Sequence, residues 1–225
     1  MKRYTARRLI AVFLGNILIG IGVAIFRMTL LGNDPSTAFV LSVAAKAGMA
    51  LAPMLWICGA GWFVLEILWG RKFIGLGTFV NWFLLGAVAD GFTWVLNHLF
   101  TAPEAFLPRF LIMLLTLPLV SLGVSLYQSS ELGTSPYDSL ALILDDRLPK
   151  IPYFWCRIAV DGTSTLLAWL LGGIVGWGTL ACALCLGPFV HFFNKHVSEP
   201  FCRVEKPAQT ETAGAESLSF FQKNG

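Results

Sequence analysis

Long apolar runs alternate with short polar breaks along this chain as far as residue 194. The runs fall at 9–31, 35–51, 53–70, 73–97, 106–129, 136–148, 151–172 and 174–194. A helix needs about twenty apolar residues to cross the roughly 30 Å hydrocarbon core of a bilayer. The runs at 35–51 and 136–148 stand apart from the others. The second is too short to cross as a helix and carries Asp138, Asp145, Asp146 and Arg147; the first carries Lys46. The pattern predicts an all-α membrane protein with about six transmembrane helices and two short re-entrant or half helices. From Ser198 onward the chain is polar with no apolar period, so 198–225 is expected to be a disordered tail.

A second pattern lies over the first. Displaced by 101 residues without a gap, Ile21–Phe26 ("IGVAIF") falls on Leu122–Tyr127 ("LGVSLY"). Leu31-Gly32-x-x-Pro35 falls on Leu132-Gly133-x-x-Pro136, and Gly75-x-Gly77-Thr78 on Gly176-x-Gly178-Thr179. Gly61 and Gly86 likewise meet Gly162 and Gly187. Coinciding apolar residues mean little in such a chain. Coinciding glycines mark positions of close backbone approach or special dihedrals. Residues 1–97 and 105–196 are therefore read as two copies of one unit.

Charge bears on their orientation. If the short segments are half-helices, each unit crosses three times, and an odd number of crossings inverts the second unit. With the N-terminus inside, Arg71, Lys72, Lys150, Lys195, Arg203 and Lys206 then lie in the cytoplasm, leaving Lys46 and Arg109 outside. Eight crossings would put Arg71 and Lys72 outside, against the positive-inside tendency. The expectation is six spans, both termini cytoplasmic, and two re-entrant segments entering from opposite faces. The basic "MKRYTARR" leads into an apolar run longer than a signal peptide's, with no small-x-small cleavage site. It reads as an uncleaved first transmembrane helix.

The Leu-Gly-x-x-Pro element has a physical reading. Proline suits the first turn of a helix. Asn33 or Asp34 in one copy, and Thr134 or Ser135 in the other, can cap the free amides. Gly32 and Gly133 let the chain turn. A helix start inside the membrane presents unpaired N–H groups, and backbone of that kind is tolerated only where it is buried in protein or lines a cavity. Two such starts meeting near the midplane would form a small polar site from Gly32, Asn33, Asp34, Pro35, Gly133, Thr134, Ser135, Pro136 and Asp138. A duplicated tight turn at the membrane surface fits the same residues.

Ionisable residues within the runs add coupling or selectivity candidates. Arg27 lies late in the first helix, opposite Gln128 in the second copy. Asp90, opposite His191, has no partner four residues away. Arg157 and Asp161 stand four apart and can pair on one helix face. Glu66 lies near Arg71 and reads as an interfacial residue.

Composition supports the membrane reading. The chain is 56% hydrophobic and 13% charged, with a mean hydropathy of +0.70. Soluble domains are about a quarter charged. A net charge of +3 argues for no nucleic-acid partner. Five cysteines sit mostly in apolar runs; Cys182-x-x-Cys185 lacks the second ligand pair of a zinc site. No hydrolase, zincin or phosphate-loop motif occurs. Neither an enzyme, a metal nor a cofactor is expected.

The paired Leu31-Gly32-Asn33-Asp34-Pro35 and Leu132-Gly133-Thr134-Ser135-Pro136 elements, with Gly75-Leu76-Gly77-Thr78, resemble the YczE/YitT-type bacterial integral membrane proteins. The resemblance covers residues 9 to about 196. It implies a bacterial inner-membrane protein and assigns no activity to any residue. The function expected is a small secondary transporter or channel for a small solute or ion. The alternative is a non-transporting scaffold or accessory factor for a partner protein. The bilayer is the expected surrounding, and a homodimer is compatible with so small a chain.

Overall fold

The computed structural model describes residues 6–151 and 153–202. The expected disorder of the tail concerns mostly residues 203–225, which lie outside the described residues. The elements are α1 (Ala6–Thr29), α2 (Pro35–Ala47), α3 (Leu51–Trp69), a 3-10 turn (Arg71–Phe73), α4 (Leu76–Leu99), α5 (Phe106–Ser129), α6 (Asp138–Arg147), α7 (Tyr153–Leu170), α8 (Trp177–Phe193), a π turn (Asn194–Ser198) and α9 (Glu199–Cys202). The helices follow the apolar runs closely. The short α2 begins where its sequence dictates: Pro35 opens the first turn, and Asp34 Oδ1 accepts the Thr37 amide at 3.1 Å. Ser135 Oγ does the same for the Asp138 amide, also at 3.1 Å.

Two long helices form the centre. α1 and α5 cross where glycine faces glycine. A Cβ added at Gly15 would sit 2.6 Å from Gly123 O, and one at Gly123 would sit 2.7 Å from Gly15 O. Small residues permit such an approach between membrane helices. Farther along, Gly22 meets Val120 and Thr116, and Phe26 clusters with Met113 and Leu117. Numbers rise on α1 as they fall on α5, so the two run antiparallel. α4 runs parallel to α1, with Asn81 Nδ2 donating to Asn16 Oδ1 at 2.7 Å and Gly20 against Leu85 and Val88. α3 runs back along α4, placing Ala52 on Gly86 and Gly59 on Trp82.

The ends of α1 and α5 are tied by reciprocal contacts. Leu31 O accepts the Gly178 amide at 2.7 Å, and Leu132 O accepts the Gly77 amide at 2.8 Å. Gly32 lies against Gly176 and Thr179; Gly133 lies against Gly75 and Thr78. Each contact becomes the other when residues 101 apart are exchanged. The local backbone repeats as well: φ is +56° at Leu30 and +53° at Glu131, +104° at Gly32 and +123° at Gly133. A left-handed φ followed by a tight contact explains why glycine stands at 32 and 133.

Three observations bear on the expectations. By length and composition, five segments can cross a membrane: α1, α3, α4, α5 and Trp177–Cys202. α7, the sixth expected crossing, is not among these five; its 18 residues include Arg157 and Asp161, which lower its mean hydropathy. Secondly, residues 198–202 are not tail-like. Ser198 and Cys202 are buried; Ser198 Oγ lies 2.5 Å from Ser125 Oγ, and Cys202 packs with Ala11 and Leu126. Thirdly, α7 does not repeat the packing of α3. It lies chiefly on α2 and α6 instead of along α8. Gly187, the counterpart of Gly86, accordingly faces open space.

The glycine crossing is directly testable. Gly123→Ala places a methyl against the Gly15 carbonyl and is expected to cost about 1–3 kcal/mol of stability. Gly91→Ala, where the methyl meets open space, is expected to stay within about 0.5 kcal/mol of the parent. Unfolding of the two purified variants in the same detergent measures both, and equal stability would refute a tight crossing.

Candidate functional site

Two cavities flank the paired motifs. The first, of about 490 Å³, is lined by Phe26, Arg27, Gly32, Asn33, Leu41 and Gly173, among others. The second, of about 390 Å³, is lined by Tyr127, Gln128, Gly133, Thr134, Leu142 and Lys72 among others. These six pairs each stand 101 residues apart. The first cavity sits at the C-terminal end of α1 and the second at the C-terminal end of α5. Since α1 and α5 are antiparallel, the cavities lie towards opposite ends of the bundle. The walls differ in charge. Arg27 and Lys46 line the first; Lys72, Glu131 and Asp138 line the second.

The motif residues therefore divide. Gly32 and Asn33 belong to one cavity, and Gly133, Thr134 and Asp138 to the other. Pro35, Ser135 and Pro136 are buried at the helix starts. The glycines stay with their separate cavities and the prolines line neither, so these residues do not meet in one site. The charged residues do converge. Arg157 Nη1 binds Asp138 Oδ1 at 2.6 Å, and its Nε binds Asp161 Oδ2 at 2.9 Å. Asp34 lies near enough for the charges of Asp161 and Arg157 to act on it. The Arg157 guanidinium, only one-third exposed, thus bridges α6 and α7. The guanidinium and its two half-buried carboxylates hold one another, and removing Arg157 leaves both carboxylates without their cation.

Asp90 also gains a partner invisible within its own helix. Arg27 Nη1 donates to Asp90 Oδ1 at 2.7 Å, and the Ala52 amide donates to Oδ2 at 2.6 Å. The carboxylate joins α1 to α4 and caps the start of α3. The expectation of an unpartnered Asp90 is corrected accordingly: two of the coupling candidates neutralise each other.

Several participants escaped the sequence reading. Tyr137, directly after Pro136, donates its hydroxyl to Asp161 Oδ1 at 2.7 Å and lies 3.1 Å from Ser164 Oγ. Arg157 sits over its ring at 5.6 Å, and Trp62 meets its edge at 5.0 Å. Tyr127 takes the Ser135 amide with its hydroxyl oxygen. An aromatic hydroxyl beside a proline-started helix was the available signal. Glu66, read as interfacial, is fully buried.

Comparison with known proteins agrees with this picture. A family model described as a family of unknown function, DUF6198, matches residues 6–195. The chain is 28% identical over 193 residues to the uncharacterized membrane protein YczE of Bacillus subtilis, covering 85% of this chain and 87% of that protein. It is 26% identical over 195 residues to the uncharacterized protein YyaS of the same organism, covering 84% and 92%. An uncharacterized protein of Haemophilus influenzae matches at 25% over 178 residues, 78% of each chain. No solved structure matches. The resemblance to YczE read from the paired motifs is thus borne out over most of the chain. With its apolar helices and a match spanning nearly all of them, the chain belongs to the DUF6198 family and is a multi-pass helical membrane protein.

Proposed function

We propose that this protein is a small secondary transporter of the bacterial inner membrane, built from two inverted repeats (residues 1–97 and 105–196). The observation that carries the reading is the pair of cavities. They are lined by residues 101 apart and lie towards opposite ends of an antiparallel helix pair, and a charged cluster adjoins the second through Asp138. Transporters built on inverted repeats expose one central site to either face in turn. Here the central site is Asp34, Asp138, Arg157 and Asp161, with Tyr137 holding Asp161. Two carboxylates in contact with one guanidinium leave the cluster net negative, which favours a small cation over an anion. Both termini face the cytoplasm, α7 supplies the sixth crossing, and α2 and α6 are half-helices that do not cross. Intramembrane charges are costly enough that a cluster retained at this depth points to a solute or ion pathway. Arg27 and Asp90 act as a brace beside the first cavity and not as the coupling pair.

Sidedness tests the architecture. In a cysteine-free background, Ser42→Cys in the first cavity is expected to react with a membrane-impermeant maleimide from the outer face only. Leu142→Cys in the second cavity is expected to react from the cytoplasmic face only. Labelling of both from one face would dispose of the inverted arrangement.

Flux tests the site. Proteoliposomes are expected to take up at least one of a panel of radiolabelled small organic cations. Arg157→Gln is expected to bring that uptake to the level of empty liposomes. It also strands two carboxylates, at a cost of about 3–5 kcal/mol. The milder Asp161→Asn, with a thermal melt near that of the parent, separates loss of function from loss of fold. Uptake unchanged by both substitutions would remove the cluster from the pathway. No uptake of any cation would favour the accessory role.

A further inference from the structure

Among the described residues, Glu66 is a fully buried carboxyl that the proposed pathway does not use. It stands in the last turn of α3 with no exposed surface, and neither carboxyl oxygen has a hydrogen-bond partner. Every polar neighbour is committed elsewhere. The Ser139 hydroxyl of α6 is within reach of it but donates to Pro136 O at 2.9 Å. Tyr127 of α5 interacts with it, yet that hydroxyl oxygen takes the Ser135 amide. The cations nearby in sequence turn away. Arg71 sends its Nε to Ile67 O at 2.8 Å, Lys72 binds Asp146 at 2.5 Å, and Arg147 lies over Trp69 at 5.6 Å. On the helices packed against α3, Asp138 of α6 is held by Arg157 and Asp90 of α4 by Arg27. Asp145 of α6 is partly exposed and Lys46 of α2 exposed; Asp34 of α2 caps its own helix, and His98 of α4 meets Trp94 O at 2.7 Å.

A buried carboxylate with no cation beside it is among the least tolerable groups in a protein interior, and it is relieved by a proton or a metal ion. A hard metal ion needs about six oxygen ligands. Besides the carboxyl pair, the side-chain oxygens near it are the Ser139 and Tyr127 hydroxyls, both already engaged. We propose that Glu66 is a proton-binding site, and that its proton exchanges with the second cavity past Tyr127, which lines that cavity. The site is one-sided. The counterpart of Glu66 in the second repeat is Leu167, exposed and apolar. Under the transport reading above, on which this last step rests, the proton at Glu66 is the coupling ion and is handed over on one face of the membrane.

The full chain, reconstituted in lipid, allows the proton to be read without any solute. Infrared spectra at neutral pH are expected to carry a protonated-carboxyl carbonyl stretch that Glu66→Gln removes and that shifts within minutes of transfer to deuterium oxide. Identical spectra for the two proteins, or a band that never shifts, would overturn the proposal. Wild-type protein provides a check independent of any variant. Dicyclohexylcarbodiimide, which adds to protonated carboxyls in apolar surroundings, is expected to modify Glu66, with labelling falling several-fold as the pH is raised. Absence of label on the Glu66 peptide counts against it. Coupling is read separately: Glu66→Gln is expected to retain downhill cation uptake and to lose accumulation driven by a pH gradient. Gradient-driven accumulation that survives the substitution defeats the coupling role. Failure of wild-type uptake defeats the transport reading and leaves the infrared result standing.

Discussion

Two backbone hydrogen bonds, Leu31 O with the Gly178 amide and Leu132 O with the Gly77 amide, close the breaks on which the architecture depends. A chain that stops a helix within an apolar surrounding must find partners for the freed carbonyls and amides. In each half those partners come from the first turn of a helix in the other half. The contact is closer than any side chain permits: a Cβ at Gly75 would stand 2.0 Å from Leu132 O, and one at Gly176 would stand 2.7 Å from Leu31 O. Neither half is complete alone. The glycines at 32, 75, 133 and 176 are conditions of the two halves meeting at all.

From this closure the cavities follow. Turning the chain at Gly32 sends α2 away from the axis of α1, leaving space between them, and the same turn at Gly133 leaves space beside α5. The walls then diverge in chemistry although their backbone plan is shared. Arg27 stands where the other half has Gln128, Leu30 where it has Glu131, and Ser36 where it has Tyr137. The backbone pattern thus makes two alike spaces, and the side chains make them different.

Most of the helices were legible in the sequence, because an apolar run of given length has few alternatives. The caps were legible too, because Asp34 and Ser135 act within three residues of themselves. What stayed hidden was every contact between distant segments. Nothing near Asp90 in the chain announces Arg27, which is 63 residues away. Glu66 lies five residues from Arg71, and that proximity suggested an interfacial residue. In the fold Arg71 turns to the backbone of Ile67, one helical turn behind it, and Glu66 points inward. The stretch from Ser198 looked like the start of a tail, since Ser-Glu-Pro breaks an apolar pattern. Its serine is buried because Ser125 of α5 offers a hydroxyl to meet it, a match no window of sequence contains.

The departure of α7 from the packing of α3 has a cause in two positions. At the position equivalent to Ala52, which lies on Gly86, α7 has Tyr153, and a tyrosine cannot take the seat of a methyl against a glycine; Gly187 accordingly meets nothing within 4 Å. Where α3 has Trp56 and Ala60, α7 has Arg157 and Asp161. Trp56 and Trp82 exchange indole hydrogen bonds across α3 and α4, with Nε1 of each donating to a backbone carbonyl at 3.3 and 3.0 Å. Arg157 and Asp161 instead draw α7 to Asp138 and Tyr137 of the second motif. The two halves therefore pack these segments differently: α3 against α4 through apolar and indole contacts, α7 against α2 and α6 with a charged pair to α6. Pairing the charges offsets part of the cost of burying them, and it ties α7 to the second motif: Asp138 holds Arg157 at 2.6 Å, and the Tyr137 hydroxyl holds Asp161 at 2.7 Å.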